Sequence, residues 1–151
     1  MKTTLVPLLV VGILALVSCE YTFPLAEPTQ HVDKRLLGDY TASTPKREWL
    51  KIRRLDDKHY VVVYDGTIFR AHHSDVNGMP LVSLENIDDA NGKWTYLSWQ
   101  LSELDKVLTI RNLDKKLVPY ETTDAAATAK LLIANRDNPT LFGEPIVFRR
   151  N

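Results

Sequence analysis

The run from residue 59 to residue 73 constrains the fold of this chain more than any other stretch. His59–Tyr64 reads His-Tyr-Val-Val-Val-Tyr, a composition of β-branched and aromatic residues that is typical of a strand. Asp65-Gly66 follows, and a second strand-like run, Thr67–His73, comes directly after it. An Asp-Gly pair between two such runs predicts a tight β-hairpin, because a type I′ turn requires positive φ at both central residues.

A two-residue turn also fixes which residues face each other across the hairpin. Tyr64 is predicted to pair with Thr67, and the pairing then continues outward to His59 and His72. One face of the hairpin carries Tyr60, Val62, Phe69 and Ala71, and the opposite face carries the charge of Arg70. We therefore expect the Val62–Phe69 face to point toward the core.

Further alternating segments flank this hairpin and extend the pattern on both sides. They cover residues 47–54, 80–87, 93–102 and 106–111, and a short strand is predicted at 145–149. Between the last two, Thr122/Thr123-Asp124 offers a side-chain oxygen for a helix cap and an acid for the first turn. An alanine- and leucine-rich stretch of helical period follows and ends before Asn138-Pro139. The prediction is a mainly β (α+β) domain: an antiparallel meander of about seven or eight strands, curled into a small barrel or half-barrel. One C-terminal helix should cover its open side or mouth, followed by a closing strand.

The first nineteen residues carry the strongest signal for the localisation of the protein. A single lysine, Lys2, precedes an apolar run from Leu5 to Val17, and the run ends in Leu16-Val17-Ser18-Cys19. This layout is typical of a secretory signal, and the run is shorter than the ~20 residues of a membrane span. The motif resembles the lipobox of bacterial lipoproteins. The resemblance implies cleavage before Cys19, attachment of fatty acyl groups such as palmitate to Cys19, and a stable anchor in the cell envelope.

This reading divides the chain into three parts. Residues 1–18 form the signal peptide, 19–36 the lipidated N-terminus and a flexible tether, and 37–151 a single globular β-rich domain. Pro24 and Pro28 are the reason for expecting irregular structure in the tether. In enteric-type lipoproteins, an aspartate directly after the cysteine retains the protein at the inner membrane. Because Glu20 stands at that position, the resemblance favours the outer membrane, facing the periplasm. An uncleaved anchor or an ordinary secreted protein are the alternatives.

Charge and cysteine usage exclude several classes of function. The chain has 19 basic and 19 acidic residues, so nothing in its net charge favours a nucleic-acid partner. Cys19 is the only cysteine, so its lipidation would leave no thiol for a disulfide, for a cysteine-ligated metal or for a nucleophile.

Three groups of polar residues are candidate sites of chemistry. His72-His73 with His59 and Asp75 is the one metal-like cluster, but neighbours on a strand point to opposite faces, so no metal or other cofactor is predicted. Asp56-Asp57 and Asp88-Asp89 are paired acids, and each pair lies beside turn residues that such acids commonly cap. With no nucleophile elbow and no phosphate loop, the sequence predicts no enzyme.

Three aromatic residues are the candidate ligand or partner face. Trp94 and Tyr96 share one side of a predicted strand, and Trp49 lies on another. Together they would line a groove for an apolar ligand, a glycan or a protein. The alternative is that they pack under the helix or form a second small core.

The globular part resembles a group of small bacterial lipoproteins of unknown function. Residues 55–63 (Leu-Asp-Asp-Lys-His-Tyr-Val-Val-Val) and 137–145 (Asp-Asn-Pro-Thr-Leu-Phe-Gly-Glu-Pro) carry this likeness. A looser resemblance is to lipocalin-type barrels, although Gly38-Asp39-Tyr40 stands where that family has Gly-x-Trp, so ligand carriage is not implied.

The functional hypothesis is a non-catalytic envelope lipoprotein that binds an envelope protein or an apolar molecule. The alternatives are a small envelope hydrolase using Asp56, Asp57 or Asp88, and an inhibitor or immunity-type lipoprotein acting on an envelope enzyme. An open barrel interior would favour ligand carriage, and a filled one would favour a protein–protein role.

Overall fold

The strands close into a complete barrel in this computed structural model, which describes residues 21–43, 46–102, 104–122 and 124–151. Every strand pairs antiparallel with its neighbours in sequence, and the last pairs with the first. The predicted meander, C-terminal helix and closing strand are confirmed. The strands are β1 (Gly38–Ala42), β2 (Glu48–Arg54), β3 (His59–Tyr64), β4 (Thr67–Val76), β5 (Met79–Asn86), β6 (Lys93–Leu101), β7 (Val107–Asn112) and β8 (Ile146–Arg150), with helix α1 (Ala125–Ala134) between β7 and β8.

The central hairpin has the predicted register. Tyr64 pairs with Thr67, Val62 with Phe69 and His59 with His72. Asp65 and Gly66 both have positive φ, 45° and 93°, as a type I′ turn requires. The Val62–Phe69 face points into the barrel, where both side chains are buried. The short-range turn signal was therefore sufficient to place this part of the sheet.

The barrel encloses the main hydrophobic core. Alternate residues of all eight strands point inward, and Tyr40, Ile52, Tyr60, Leu108 and Phe148 among them have essentially no exposed surface. A 3₁₀ turn, Lys34–Leu36, closes one end of the barrel and buries Leu36 there. We call this the closed end; the opposite end, where β6 begins, is the open end.

A second hydrophobic cluster lies outside the barrel, between its wall and α1. Helix α1 begins at Asp124, whose carboxylate accepts a 2.7 Å hydrogen bond from the backbone of Ala127, and it buries Leu132 against the outer faces of β4, β5 and β6. The helix was expected to cover an open side or the mouth. Because the barrel is closed, there is no open side, and the helix covers the wall instead.

The flexible tether predicted for residues 19–36 is wrong over the part that the structure describes. Residues 21–36 pack along the barrel wall and are fixed by backbone hydrogen bonds, including Thr29 to His73 and Val32 to Asp57 at 2.9 Å each. The prolines do exclude regular strand or helix here. They do not prevent the segment from burying apolar side chains such as Tyr21 against the sheet.

The seam between β1 and β8 is locked by Arg150. Its guanidinium lies 4.9 Å from the ring centroid of Tyr40 and donates to the Leu37 carbonyl at 2.7 Å and to the Tyr40 hydroxyl at 2.8 Å. Its Nε donates to the Asp105 carbonyl at 2.7 Å. A side chain at Gly38 would place Cβ 2.5 Å from the Arg150 guanidinium, so a larger residue there would displace the end of the Arg150 side chain. One residue thus joins the last strand to the first strand and to the closed end.

Candidate functional site

The interior of the barrel is filled by its own side chains. The remaining cavity measures about 20 Å³, which is room for about one water molecule. Pockets that hold small-molecule ligands measure roughly 300–1,000 Å³. The interior therefore does not offer space for an apolar ligand. The cavity is lined by Leu50, Val62, Tyr64, Phe69, Leu84, Thr95, Leu97, Trp99 and Ile110.

Polar groups inside the barrel are engaged in structural contacts near its two ends. Near the closed end, the backbone N–H of Asp33 donates to the Tyr60 hydroxyl at 2.7 Å, and that hydroxyl lies 3.0 Å from Nε2 of His73. Burial lowers the pKa of His73. Toward the open end, the Tyr64 hydroxyl donates to Glu48 at 2.5 Å, and burial together with this carboxylate raises the pKa of Tyr64. Both pairs tie side chains to the fold.

The three predicted aromatic residues do not form one groove. Tyr96 is buried in the second cluster, where its ring centroid lies 4.9 Å from that of Tyr21. Trp94 is half-buried beside it, and its ring lies 6.0 Å from that of His72. Trp49 lies on β2, across the barrel from β6 in the strand order. Tyr96 is therefore part of a second core, as the alternative interpretation of these aromatic residues proposed. Trp49 is not part of that core.

Trp49 borders a groove on the outer wall of the barrel. Its side chain is 40% exposed, and the adjoining groove has a volume of about 370 Å³. Thr41 lies opposite Trp49 on β1, and its hydroxyl donates to the Asn151 side chain at 2.7 Å. We call this feature the Trp49 groove; its lining residues are Asp39, Tyr40, Thr41, Arg47, Trp49, Leu50, Lys51 and Asn151.

The Trp49 groove is lined by two basic side chains. Lys51 Nζ lies 5.4 Å from the Trp49 ring centroid, and Arg47 is exposed nearby. The acidic side chain among the lining residues, Asp39, is held by Arg53 at 2.7 Å. Within the described part of the chain, neither Arg47 nor Lys51 reaches a carboxylate at ion-pair distance. An aromatic ring with two such cations favours an anionic partner.

Sequence reasoning identified Trp49 but missed most of its neighbours. The alternation of β2 does place Trp49 and Lys51 on the same outward face, so this pair was within reach of the pattern. Thr41 joins them through the β1–β2 register, and Asn151 through the β1–β8 seam. The contact with Asn151 has no local sequence signal, because the seam joins the two ends of the domain.

The fold brings His59 and His72 together across the hairpin and places the two acid pairs in separate turns. The rings of His59 and His72 lie 5.6 Å apart, and the Nε2 of His72 bonds the Ala26 carbonyl at 3.0 Å. In the ranges that the structure describes, no three His, Cys, Asp or Glu side chains are grouped to hold a metal ion. Asp56 accepts hydrogen bonds from two backbone N–H groups of its own turn at 2.8 Å, and Asp88 accepts one from Ile68 at 3.2 Å. These acids lie near opposite ends of the barrel.

Comparisons with known proteins provide no relative from which a function could be inferred. No protein-family model, no curated protein and no solved structure matches this sequence. Among the described residues, no helix has the length and hydropathy to cross a bilayer. Cys19, the predicted attachment site, and the signal peptide before it lie outside the described residues.

Proposed function

We propose that this chain is a lipid-anchored protein of the bacterial cell envelope whose barrel acts as a non-catalytic binding module. Cys19 carries the anchor, and the domain faces the periplasm from the outer membrane. The support for the anchor is the Leu16-Val17-Ser18-Cys19 motif at the end of a secretory signal. The partner is another envelope protein, which presents an acidic segment to the Trp49 groove.

The observation that carries this proposal is the contrast between the barrel interior and its wall. The interior holds only about 20 Å³, whereas the Trp49 groove holds about 370 Å³. A carrier of apolar molecules needs the reverse arrangement. Arg47 and Lys51, which make no ion pair with any residue that the structure describes, supply charge complementarity for carboxylates beside an exposed tryptophan. Tryptophan and arginine are the side chains that dominate protein interfaces.

The direct test is photo-crosslinking in intact cells. A benzophenone amino acid replaces Trp49 in one variant and Ile133 in another, because both side chains are 40% exposed and lie on different sides of the molecule. We expect one defined adduct from position 49 and none from position 133. Adding Lys51→Glu to the position-49 variant should abolish the adduct, because it reverses the charge that attracts the partner.

The outcomes separate the alternatives. An adduct whose partner is an envelope enzyme inhibited by this chain would make the protein an inhibitor or immunity-type lipoprotein. Equal adducts from positions 49 and 133, or an adduct unaffected by Lys51→Glu, would contradict binding through the Trp49 groove.

A further inference from the structure

The N-terminal segment is fixed to the barrel almost immediately after the predicted lipid attachment site. Tyr21 and Trp94 exchange two backbone hydrogen bonds of 2.7 Å each. The Tyr21 hydroxyl donates to the Val118 carbonyl at 2.6 Å, and the residue is 1% exposed. Its ring also lies 5.1 Å from that of Tyr120. Tyr21 is therefore a fixed point of the domain.

The covalent chain limits how far this fixed point can be from the lipid. Two residues of fully extended backbone span at most about 7 Å, which is the greatest distance between the Cα atoms of Cys19 and Tyr21. Acyl chains on Cys19 place that residue at the level of the lipid headgroups. From this distance, and resting on the proposed lipidation, we infer that one face of the barrel lies directly against the bilayer surface. The domain does not stand away from the membrane on a tether.

The surface around Tyr21 has the chemistry of such a contact. We call it the anchor-proximal surface; its residues are Trp94, Lys115, Lys116, Tyr120 and Glu121. Trp94 and Tyr120 are half-buried, and tryptophan and tyrosine are enriched at the level of the headgroups. Lys115 and Lys116 are exposed in the turn that leads to Val118, the residue bonded by Tyr21. Lysines at this position attract anionic headgroups.

The contact also orients the rest of the molecule. Trp94 lies near the open end of the barrel, at the start of β6, and the β2–β3 turn around Lys58 lies at the closed end. With the anchor-proximal surface on the bilayer, the closed end points into the periplasm. Single-site labels at Glu121 and Lys58, both exposed, can report the two ends separately.

The experiment uses lipidated protein in vesicles of phosphatidylethanolamine and phosphatidylglycerol that contain a headgroup spin-labelled lipid. Glu121→Cys and Lys58→Cys each carry a fluorophore, and acylation blocks the thiol of Cys19. We expect several-fold stronger quenching at position 121 than at position 58. A matched variant with about ten Gly/Ser residues inserted between Glu20 and Tyr21 gains an average reach of about 17 Å and should lose most of this difference.

Other results would overturn the inference in distinguishable ways. Equal quenching at both positions in protein of acylated mass would reject the close contact and leave the anchor intact. A difference that survives the insertion would show that the short connection does not set the orientation. Protein that lacks the acyl groups and does not bind vesicles would refute the anchor, and the orientation with it.

Discussion

Two sides of one barrel wall differ in what covers them. On the side of β4, β5 and β6, α1 and residues 21–29 form a second layer, and a second hydrophobic cluster fills the space between. On the side of β8, β1 and β2, the wall meets solvent, and Trp49 and Val147 are 40% and 44% exposed. The covered side is built for stability, and the bare side leaves the Trp49 groove accessible to a partner.

The difference between the two sides appears in the burial patterns of their strands. In β5, four consecutive residues from Leu81 to Leu84 are buried, because one face looks into the barrel and the other lies under the outer layer. In β2, Leu50 and Ile52 are buried while Trp49, Lys51 and Arg53 are exposed. An unbroken buried run thus marks a strand with a covering layer, and strict alternation marks a strand that faces water.

The largest expected effect on stability is the difference between substituting one aromatic residue on the covered side and one on the bare side. Tyr96→Ala should lower the free energy of unfolding by about 3–5 kcal/mol, because it empties a fully buried site in the second cluster. Trp49→Ala should cost less than about 1 kcal/mol, because much of that side chain already contacts water. Urea unfolding of the two variants measures both values. Equal losses would mean that the two sides do not differ as the structure describes.

The seam between β1 and β8, which lies within the bare side, should show the next largest effect. Arg150→Met removes the guanidinium hydrogen bonds to the carbonyls of Leu37 and Asp105 and should destabilise the fold by about 2–4 kcal/mol. Arg149→Met, one residue away on the same strand but exposed, is the matched control and should change stability by less than about 0.5 kcal/mol. Thermal unfolding of the pair tests this, and a control as unstable as the Arg150 variant would refute the role of the seam.

Acidification should destabilise the fold through two histidines of β4, the buried His72 on the covered side and the half-buried His73 inside the barrel. Burial lowers the pKa of both His72 and His73 from the ordinary value of 6.5. The unfolded chain therefore takes up protons first as the pH falls through 6.5, so stability is complete above that pH and decreases below it, until the folded-state pKa values are passed.

Unfolding free energies measured between about pH 8 and pH 5.5 test this, because carboxylates titrate below that range. A His72→Gln, His73→Gln variant should show a smaller decrease than the original chain. Stability that is constant or rises toward pH 5.5 would contradict the assignment.

The smallest effect on stability belongs to the bare side. Lys51→Ala should change the free energy of unfolding by less than about 0.5 kcal/mol, because its side chain is exposed and its ring contact with Trp49 is at the surface. The same substitution should reduce the yield of the adduct from position 49. Loss of the adduct together with unfolding would show that Lys51 acts on the fold rather than on the partner.

The fold was more accessible from the sequence than the candidate site. The Asp65-Gly66 turn sets the register of its hairpin, and Asp124 indicates where the helix starts. The hairpin and the helix were therefore predicted from local signals. The packing of residues 21–36 has no such signal. Its contacts join Tyr21 to Val118 and Thr29 to His73, which are distant in sequence. The Trp49 groove depends in the same way on Asn151, which reaches Thr41 only after the barrel closes.

Native mass spectrometry of the protein released from its own envelope examines the anchor and the barrel interior in one measurement. We expect a chain that begins at Cys19, carries acyl groups there and retains no apolar small molecule, because the interior has only about 20 Å³ of free space. An unmodified residue 19, or an apolar ligand bound in stoichiometric amount, would contradict this expectation.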